Sequence, residues 1–141
     1  MIKKNKIDCC FLVPNNSKKS YQKLSETYSA IEPPTWALLL AESIRSINFN
    51  PVIIDANAEN LDEEKIYERI QDIKPRLICL VVYGQNVNAG TTNMSGAVNL
   101  STFLKKKDSK IKICFIGSHV QALPKETLEK EKSIDFVFTN E

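Results

Sequence analysis

The side chain best suited to proton transfer or metal binding is that of His119, the only histidine in the 141-residue chain. An imidazole can exchange a proton near neutral pH or ligate a metal. Catalysis by such a side chain needs a partner carboxylate or nucleophile, and none that could form a pair with it lies near in the sequence. A hydrogen-bonding surface residue is therefore the more common explanation for a lone histidine.

Four cysteines are the other residues that could ligate metals or undergo redox chemistry: Cys9, Cys10, Cys79 and Cys114. They show neither CxxC spacing nor the Cys/His spacing of a metal site. Three of them fall inside segments that have the pattern of buried strands, and Cys9 adjoins one. We therefore expect buried structural thiols, no bound metal and a reducing, cytoplasmic location.

Motifs for nucleotide binding and for hydrolysis are absent. The dinucleotide fingerprint needs closely spaced glycines after the first strand, but residues 14–18 read PNNSK there. Asp55, at the end of the second predicted strand, could mimic a ribose-binding acid, although a capping or solvated role is the more common one. The chain also has no Walker A, GxSxG or HExxH sequence.

The segment that remains is residues 77–97, which combines a strand, a polar loop and a helix. Residues 77–83 form an unbroken apolar run that stops at Gly84, and the small polar residues 85–92 follow as a predicted loop. Loops at the carboxyl ends of parallel strands are where ligands bind in such sheets. With no charged residue between Tyr83 and Gly96, this loop suits an uncharged polar ligand that carries amides.

Gly84 and Gly117 each follow directly on a predicted strand. If those two strands are neighbours, their loops form one rim on which the backbone can approach a flat ligand. A second explanation is that glycine simply allows tight exits from the strands. The sequence favours neither explanation over the other.

Five apolar segments alternate with segments of helical periodicity. The predicted strands cover residues 7–13, 51–55, 77–83, 111–116 and 134–138. With right-handed crossovers, this alternation predicts an α/β fold: a doubly wound three-layer sandwich around a five-stranded parallel sheet of order 2-1-3-4-5, of the flavodoxin-like or Rossmann-like type. The continuous apolar character of residues 77–83 predicts a central strand with both faces covered.

Local signals predict where the helices begin and end. An apolar stripe from Trp36 to Ile47 predicts a heavily buried helix that starts near Pro34 and ends at Asn48 in the left-handed conformation. Asn60 and Glu63 fit a capping box for the second helix. The third helix closes at the lysines 105–107, and a weak helix covers residues 125–130. The polar residues 15–33 have the length of a lid, a binding loop or a disordered segment.

Acidic and basic residues are nearly balanced, with a net charge of +2. The composition therefore gives no argument for nucleic acid or a membrane surface as a partner. The longest apolar runs, residues 36–41 and 77–83, are too short to cross a bilayer. The amino-terminal residues lack a signal-peptide cleavage pattern. We expect one domain over residues 1–141.

Several sequence blocks resemble the amino-terminal cobalamin-binding domain of cobalamin-dependent radical S-adenosylmethionine enzymes, in the branch of the anaerobic magnesium-protoporphyrin ester cyclases and related methyltransferases. These blocks are EPPTWA at 32–37, IIDANAENL at 53–61, VYGQN at 82–86, NA at 88–89, NM at 93–94, GSHVQALP at 117–124 and TL at 127–128. They occur in the expected order and span nearly the whole chain from Ile7.

The resemblance implies a cobalamin module with the same sheet order. Cobalamin would lie across the carboxyl ends of the strands, with its nucleotide tail beside the loops after the third and fourth strands. The binding residues implied are Tyr83, Gly84, Gln85, Asn86, Gly117, Ser118, His119 and Asn140, the last of which stands where the family commonly has glycine.

Three departures from the family pattern refine this expectation. The DxHxxG motif, which gives cobalt a lower histidine in mutases, is absent, so the resemblance implies base-off binding with no protein histidine on cobalt. Ser118 replaces the second of two glycines that are usual after the fourth strand. No CxxxCxxC motif is present, so the iron–sulfur cluster and S-adenosylmethionine would belong to a radical domain downstream, in cis or in trans.

Two hypotheses of function follow. The first is a cobalamin-binding module that holds the cofactor for methyl transfer or redox chemistry in a larger enzyme and is not catalytic on its own. The alternative is a degenerate domain that kept the fold, lost the cofactor and serves as an interaction or regulatory module. Binding of hydroxocobalamin discriminates between them.

Overall fold

The computed structural model describes residues 6–15, 33–83 and 87–139, and for residues 87–92 the backbone alone. In these ranges the elements, in chain order, are β1 (Cys9–Val13), α1 (Thr35–Arg45), β2 (Pro51–Asp55), α2 (Glu63–Ile73), β3 (Leu77–Val81), α3 (Val87–Lys107), β4 (Ile113–Ile116), α4 (Ser118–Ala122), α5 (Pro124–Lys130) and β5 (Phe136–Phe138). The weak helix predicted over residues 125–130 is α5, and α4, which precedes it, was not predicted.

The strands form one parallel sheet of order β2-β1-β3-β4-β5 over the described residues, which confirms the predicted fold. In the centre, Leu80 of β3 is in register with Leu12 of β1 and with Phe115 of β4. All three side chains are fully buried. The prediction of a central third strand is therefore confirmed.

Side chains alternate between two apolar clusters because successive strand residues point to opposite faces. Ile78, Leu80 and Val82 pack into the larger cluster, beneath α2 and α3. Cys79 and Val81 pack into the smaller cluster, on the side of the sheet that α1 covers. We call these two faces the α2–α3 side and the α1 side. Both faces of β3 are covered, as its unbroken apolar sequence predicts.

Helix α1 is much less buried than predicted. Only Ala37 and Ala41 are buried, whereas Trp36, Leu38 and Leu39 are each about half exposed. The helix contacts the neighbouring strands β1 and β2 and so can bury only one of its faces. Apolar residues on all sides of a helix indicate that the outer face needs a further contact, which the sequence pattern alone could not identify. The helix ends at Arg45, before the predicted Asn48, and Asn48 itself has the predicted left-handed conformation, with a φ of 66°.

The start of α2 differs from the predicted capping box. Asp62 is the capping residue, and its Oδ1 accepts a hydrogen bond from the Lys65 amide at 2.9 Å. Asn60 lies two residues earlier with a φ of +48°, a left-handed conformation that asparagine tolerates better than most residues. The turn between β2 and α2 therefore uses Asn60, and the helix begins at Glu63.

Helix α3 begins at Val87, so residues 87–92 are helical and not the predicted loop. Threonine, asparagine and glycine are weak helix formers, which is why the sequence of this segment favours a loop. Burial of Met94, Ala97, Leu100 and Leu104 against the sheet supplies the stabilisation that propensity lacks.

All four cysteines are buried and reduced, as predicted. Burial, reinforced by neighbouring thiols, raises the pKa of Cys9 and of Cys10 to about 12. These thiols therefore stay neutral and unreactive near neutral pH. The described residues contain no group of three or more histidine, cysteine, aspartate or glutamate side chains that could hold a metal ion.

Helices of the described ranges are all too short or too polar to span a membrane.

Candidate functional site

The carboxyl ends of β3 and β4 lie side by side, as the predicted strand order requires. The Val82 amide donates a hydrogen bond of 2.8 Å to the Ile116 carbonyl, so the two strands stay paired up to their exits. Tyr83 follows β3, and Gly117, Ser118 and His119 follow β4. Four of the eight predicted binding residues are thereby brought together at one edge of the sheet.

Gly117 is required by this paired exit. Its φ is +157°, and a Cβ added there would lie 2.7 Å from the Val82 carbonyl carbon and closer still to the carbonyl oxygen. No side chain fits in that space unless the backbone of one strand moves. The tight strand exit is therefore a sufficient reason for glycine at this position, and a role of Gly117 in approaching a ligand stays a prediction.

Ser118 presents a polar group that has no partner among the described residues. Its Oγ is buried, and it makes no hydrogen bond in the part of the chain that the structure describes. A buried hydroxyl without a partner costs free energy, so such groups are rare and mark places where a ligand or water can complete the hydrogen bonding. The orphaned hydroxyl lies in the first residue of α4, directly after Gly117.

His119 is half-buried in the single full turn of α4. Its carbonyl accepts a hydrogen bond of 3.0 Å from the Leu123 amide, which ends that helix. The backbone of His119 is therefore fixed one residue beyond the Ser118 hydroxyl.

Tyr83 forms an aromatic pair with Trp36, the second residue of α1. The two ring centroids are 4.4 Å apart and the ring planes are 20° from parallel, which is a stacked arrangement. The Tyr83 carbonyl accepts a hydrogen bond of 3.3 Å from the Asn93 side chain of α3. The backbone of Tyr83 is thus held from the α2–α3 side, while its ring packs on the α1 side.

Trp36 lies beside these strand exits, although the sequence predicts that it lies in the core. Its helical spacing with Leu40 and Ile44 predicts a core position, but 48% of the residue is exposed. Only the contact with Tyr83, across 47 positions of sequence, shows that Trp36 belongs to the carboxyl edge. The EPPTWA block was the available signal, because it belongs to the family resemblance.

The remaining predicted binding residues, Gly84, Gln85, Asn86 and Asn140, lie outside the described residues. The same holds for residues 16–32, which make up most of the predicted loop of residues 15–33. Their roles in binding therefore stay predictions.

A depression of about 590 Å³ opens beside this edge, but on the α2–α3 side. It is lined by residues that follow β1 and β2, among them Pro14 and Asn60, and by Leu100 and Phe103 of α3. Asp62, Glu63 and Glu64 add three carboxylates to its lining. None of the four predicted binding residues that the structure describes lines it, so the described β3–β4 exits and this depression are separate features.

Comparison with known proteins identifies a matching family and a solved structure of similar fold. The family model of the B12 binding domain matches residues 22–141, which is most of the chain. A solved structure of the radical S-adenosylmethionine methyltransferase TsrM from Kitasatospora setae, with tryptophan and a S-adenosylmethionine analogue bound, superposes with a TM-score of 0.60 at 14% identity. The match covers 88% of this chain and 22% of the TsrM chain. A search of curated protein sequences finds no match.

Proposed function

The chain belongs to the B12-binding domain family, and from that membership we propose that it holds cobalamin across the carboxyl edge of its sheet, at the exits of β3 and β4. The family match over residues 22–141 is the observation that carries the proposal. In open parallel sheets ligands bind outside the carboxyl ends of the strands, next to the point where the strand order reverses. In the order β2-β1-β3-β4-β5 that point lies between β1 and β3, so the exit of β3 borders both that point and the exit of β4.

The residues at the edge fit a large, polar, amide-bearing cofactor. The buried Ser118 hydroxyl has no partner in the described residues and can donate to, or accept from, an incoming polar group. The Trp36–Tyr83 pair adds an aromatic surface beside it. Residues 117–119 of this edge include no carboxylate, so they do not repel the phosphate of a nucleotide tail.

In this proposal the chain binds and orients, and the cofactor supplies the cobalt centre that carries a methyl group or electrons. Ser118 hydrogen bonds to the cofactor, and Gly117 keeps the two strand exits close enough to form one continuous rim. Tyr83 and Trp36 exclude water from the α1 side of that rim. Gly84, Gln85, Asn86 and Asn140 complete the proposed contacts.

The proposed binding is base-off and without a protein histidine on cobalt. His119 is the only histidine, and it is held in α4, whereas the exit of β1 is Pro14-Asn15 and offers no imidazole. Paramagnetic resonance of the cob(II)alamin complex should therefore show no nitrogen splitting. A split signal that disappears in the His119→Ala variant would contradict the histidine-free arrangement, and one that persists in that variant would indicate that the cofactor's own base stays on cobalt.

We further propose that this module serves a radical S-adenosylmethionine domain, in cis or in trans. The neighbouring structure, TsrM, is a radical S-adenosylmethionine methyltransferase of which the present chain spans only about a fifth of the length. The printed sequence contains no CxxxCxxC motif for an iron–sulfur cluster. The catalytic step, and any cluster and S-adenosylmethionine, belong to that partner domain in this proposal.

The alternative is a module that keeps the fold and binds a protein instead of cobalamin. Half-exposed apolar side chains on the α1 side favour it, namely Leu38 and Leu39 of α1 and Phe136 and Phe138 of β5. Such residues are common at protein interfaces.

The experiment that separates the two functions is direct. The purified chain is mixed with hydroxocobalamin, passed through a gel-filtration column, and its absorbance is recorded in the visible range. A red protein fraction with about one cofactor per chain supports the cobalamin module. A colourless protein fraction at cofactor concentrations in the high micromolar range overturns it and leaves the interaction module.

A further inference from the structure

Trp36 is the only tryptophan of the chain, and it lies at the start of α1 on the edge where cobalamin is proposed to bind. Pro34 precedes the helix, and the Leu38 amide donates to the Pro34 carbonyl at 3.0 Å. The first turn of α1 is therefore formed, and it holds the indole at the carboxyl end of the sheet.

One side of the indole is already covered. The Tyr83 ring lies against it with a centroid distance of 4.4 Å and an interplanar angle of 20°. Nevertheless 48% of Trp36 is accessible, while Tyr83 is half-buried. Tyr83 thus covers one face of the indole, and about half of Trp36 remains accessible for a further contact.

An indole exposed in this way is costly to leave in water and well suited to stacking. Tryptophan presents a large flat surface, and aromatic rings prefer offset-stacked contacts with other flat rings. A third flat ring placed on Trp36 would extend the existing stack. The occupant that this surface fits best is a planar aromatic heterocycle.

Cobalamin carries one such group, the benzimidazole base of its nucleotide tail. In base-off binding that base is released from cobalt and needs a new environment. We propose that Trp36 stacks against the released base on the α1 side of the sheet, and that it makes the chain select cobalamins with a benzimidazole tail over cobinamide, which has none. This inference rests on the proposed cobalamin function.

The test measures the affinity of the whole chain for two ligands, hydroxocobalamin and diaquocobinamide, by absorbance titration. The variants are Trp36→Ala, which removes the stacking surface, and Trp36→Phe, which keeps an aromatic ring. Ile47→Ala is the matched control, because Ile47 is also an exposed apolar residue, 63% accessible, and lies beyond the opposite end of α1.

The expected result is a loss of affinity for hydroxocobalamin that is much larger than any loss of affinity for cobinamide. Stacking of a base on an aromatic side chain contributes enough that Trp36→Ala should weaken hydroxocobalamin binding about tenfold or more. Trp36→Phe should recover most of that loss. In the Trp36 variants the affinity for cobinamide should fall far less than that for hydroxocobalamin, and the cobinamide binding that remains shows that the edge of the sheet is folded. Ile47→Ala should bind both ligands like the parent.

Three outcomes would overturn the inference, and they can be told apart. If Trp36→Ala binds hydroxocobalamin like the parent, Trp36 makes no useful contact with the base. If it loses both ligands equally, Trp36 acts on the corrin or on the fold, and the cobalamin function itself still stands. If the parent chain binds neither ligand, the proposed function fails and this inference fails with it.

Discussion

At the scale of single residues, the Ser118 hydroxyl is the clearest sign that this edge can bind a further polar group. Every other buried polar side chain of the described residues has a partner; Ser101 and Ser133, for example, share a hydrogen bond of 2.7 Å. The Ser118 hydroxyl, directly beside Gly117, is buried without a partner in the described part of the chain. A group that destabilises the free protein and stabilises the complex is typical of a binding residue.

We predict opposite effects of Ser118→Ala on stability and on binding. Removing a buried hydroxyl that lacks a partner should raise the free energy of unfolding by about 1 kcal/mol. Losing a hydrogen bond to the cofactor should weaken cobalamin binding roughly two- to tenfold. Urea unfolding and cobalamin titration of the same variant measure both quantities.

Ser101→Ala is the control, because it removes one member of a buried pair and leaves the Ser133 hydroxyl without its partner. It should lower stability and leave the affinity for cobalamin unchanged. A Ser118→Ala variant that is destabilised to the same extent as Ser101→Ala would show that Ser118 has a structural partner, and would remove it from the site.

The residue scale is also where the sequence was least informative. Ser118 was identified only through the family resemblance, and its buried hydroxyl became evident only in the fold. Trp36 was predicted to lie in the core, because helical spacing shows which residues share a face but not how far the covering element extends. Contacts between residues far apart in sequence, such as Trp36 with Tyr83, depend on how the elements pack.

At the scale of elements, the strands were predicted well and the helix ends less well. A buried parallel strand is a run of apolar residues with no alternation, and such a run is visible in residues 77–83. Helix starts depend on single side chains that cap backbone amides, and several neighbouring residues can do so. Asn60 and Asp62 are both good capping residues, and the structure uses Asp62.

We predict that Asp62→Ala lowers the free energy of unfolding by about 1 kcal/mol, the usual cost of losing such a cap. Asp62→Asn is the matched control, since its amide oxygen can still accept the hydrogen bond from the Lys65 amide. It should retain most of the stability. Equal stability of the parent and Asp62→Ala in urea unfolding would show that α2 does not depend on this cap.

At the scale of the whole molecule, the amino edge of the sheet is stabilised by a charged network, opposite the proposed binding edge. Asp135 accepts hydrogen bonds from the Ile113 amide at 2.9 Å, from Lys105 at 2.7 Å and from Lys112 at 3.1 Å. These contacts join α3, β4 and the start of β5. Partial burial alone would raise the pKa of Asp135, but the hydrogen bonds from Lys105, Ile113 and Lys112 lower it below its ordinary value of 3.8.

The Asp135 network predicts how the free energy of unfolding depends on pH. A carboxyl whose pKa is lower in the folded state stabilises the fold fully above its unfolded pKa, and this stabilisation is lost as the pH falls through the folded value. The parent should therefore lose stability below about pH 4 more steeply than Asp135→Asn, in which no carboxyl titrates at that position. Urea unfolding at several pH values measures both slopes, and parallel slopes would show that Asp135 is not stabilised in its charged form.

The overall architecture could be predicted from the sequence because it follows from the order of apolar segments and the handedness of crossovers. The proposed binding edge follows from the same order, since the carboxyl ends of β3 and β4 must be neighbours in it. The extent of α3 could not, because the weak helix formers in residues 87–92 are stabilised by packing further along the helix.

The central claim is that cobalamin binds at the exits of β3 and β4, and amide chemical-shift mapping of the 16.0 kDa chain tests it most directly. On titration with hydroxocobalamin, the amide signals of Tyr83, Gly117, Ser118 and His119 should shift together with one affinity. The signals of Lys112 and Asp135, at the opposite edge, should stay in place. Shifts confined to that opposite edge or to Asp62 and Glu63 beside the depression, or no shifts at all, would contradict the claim.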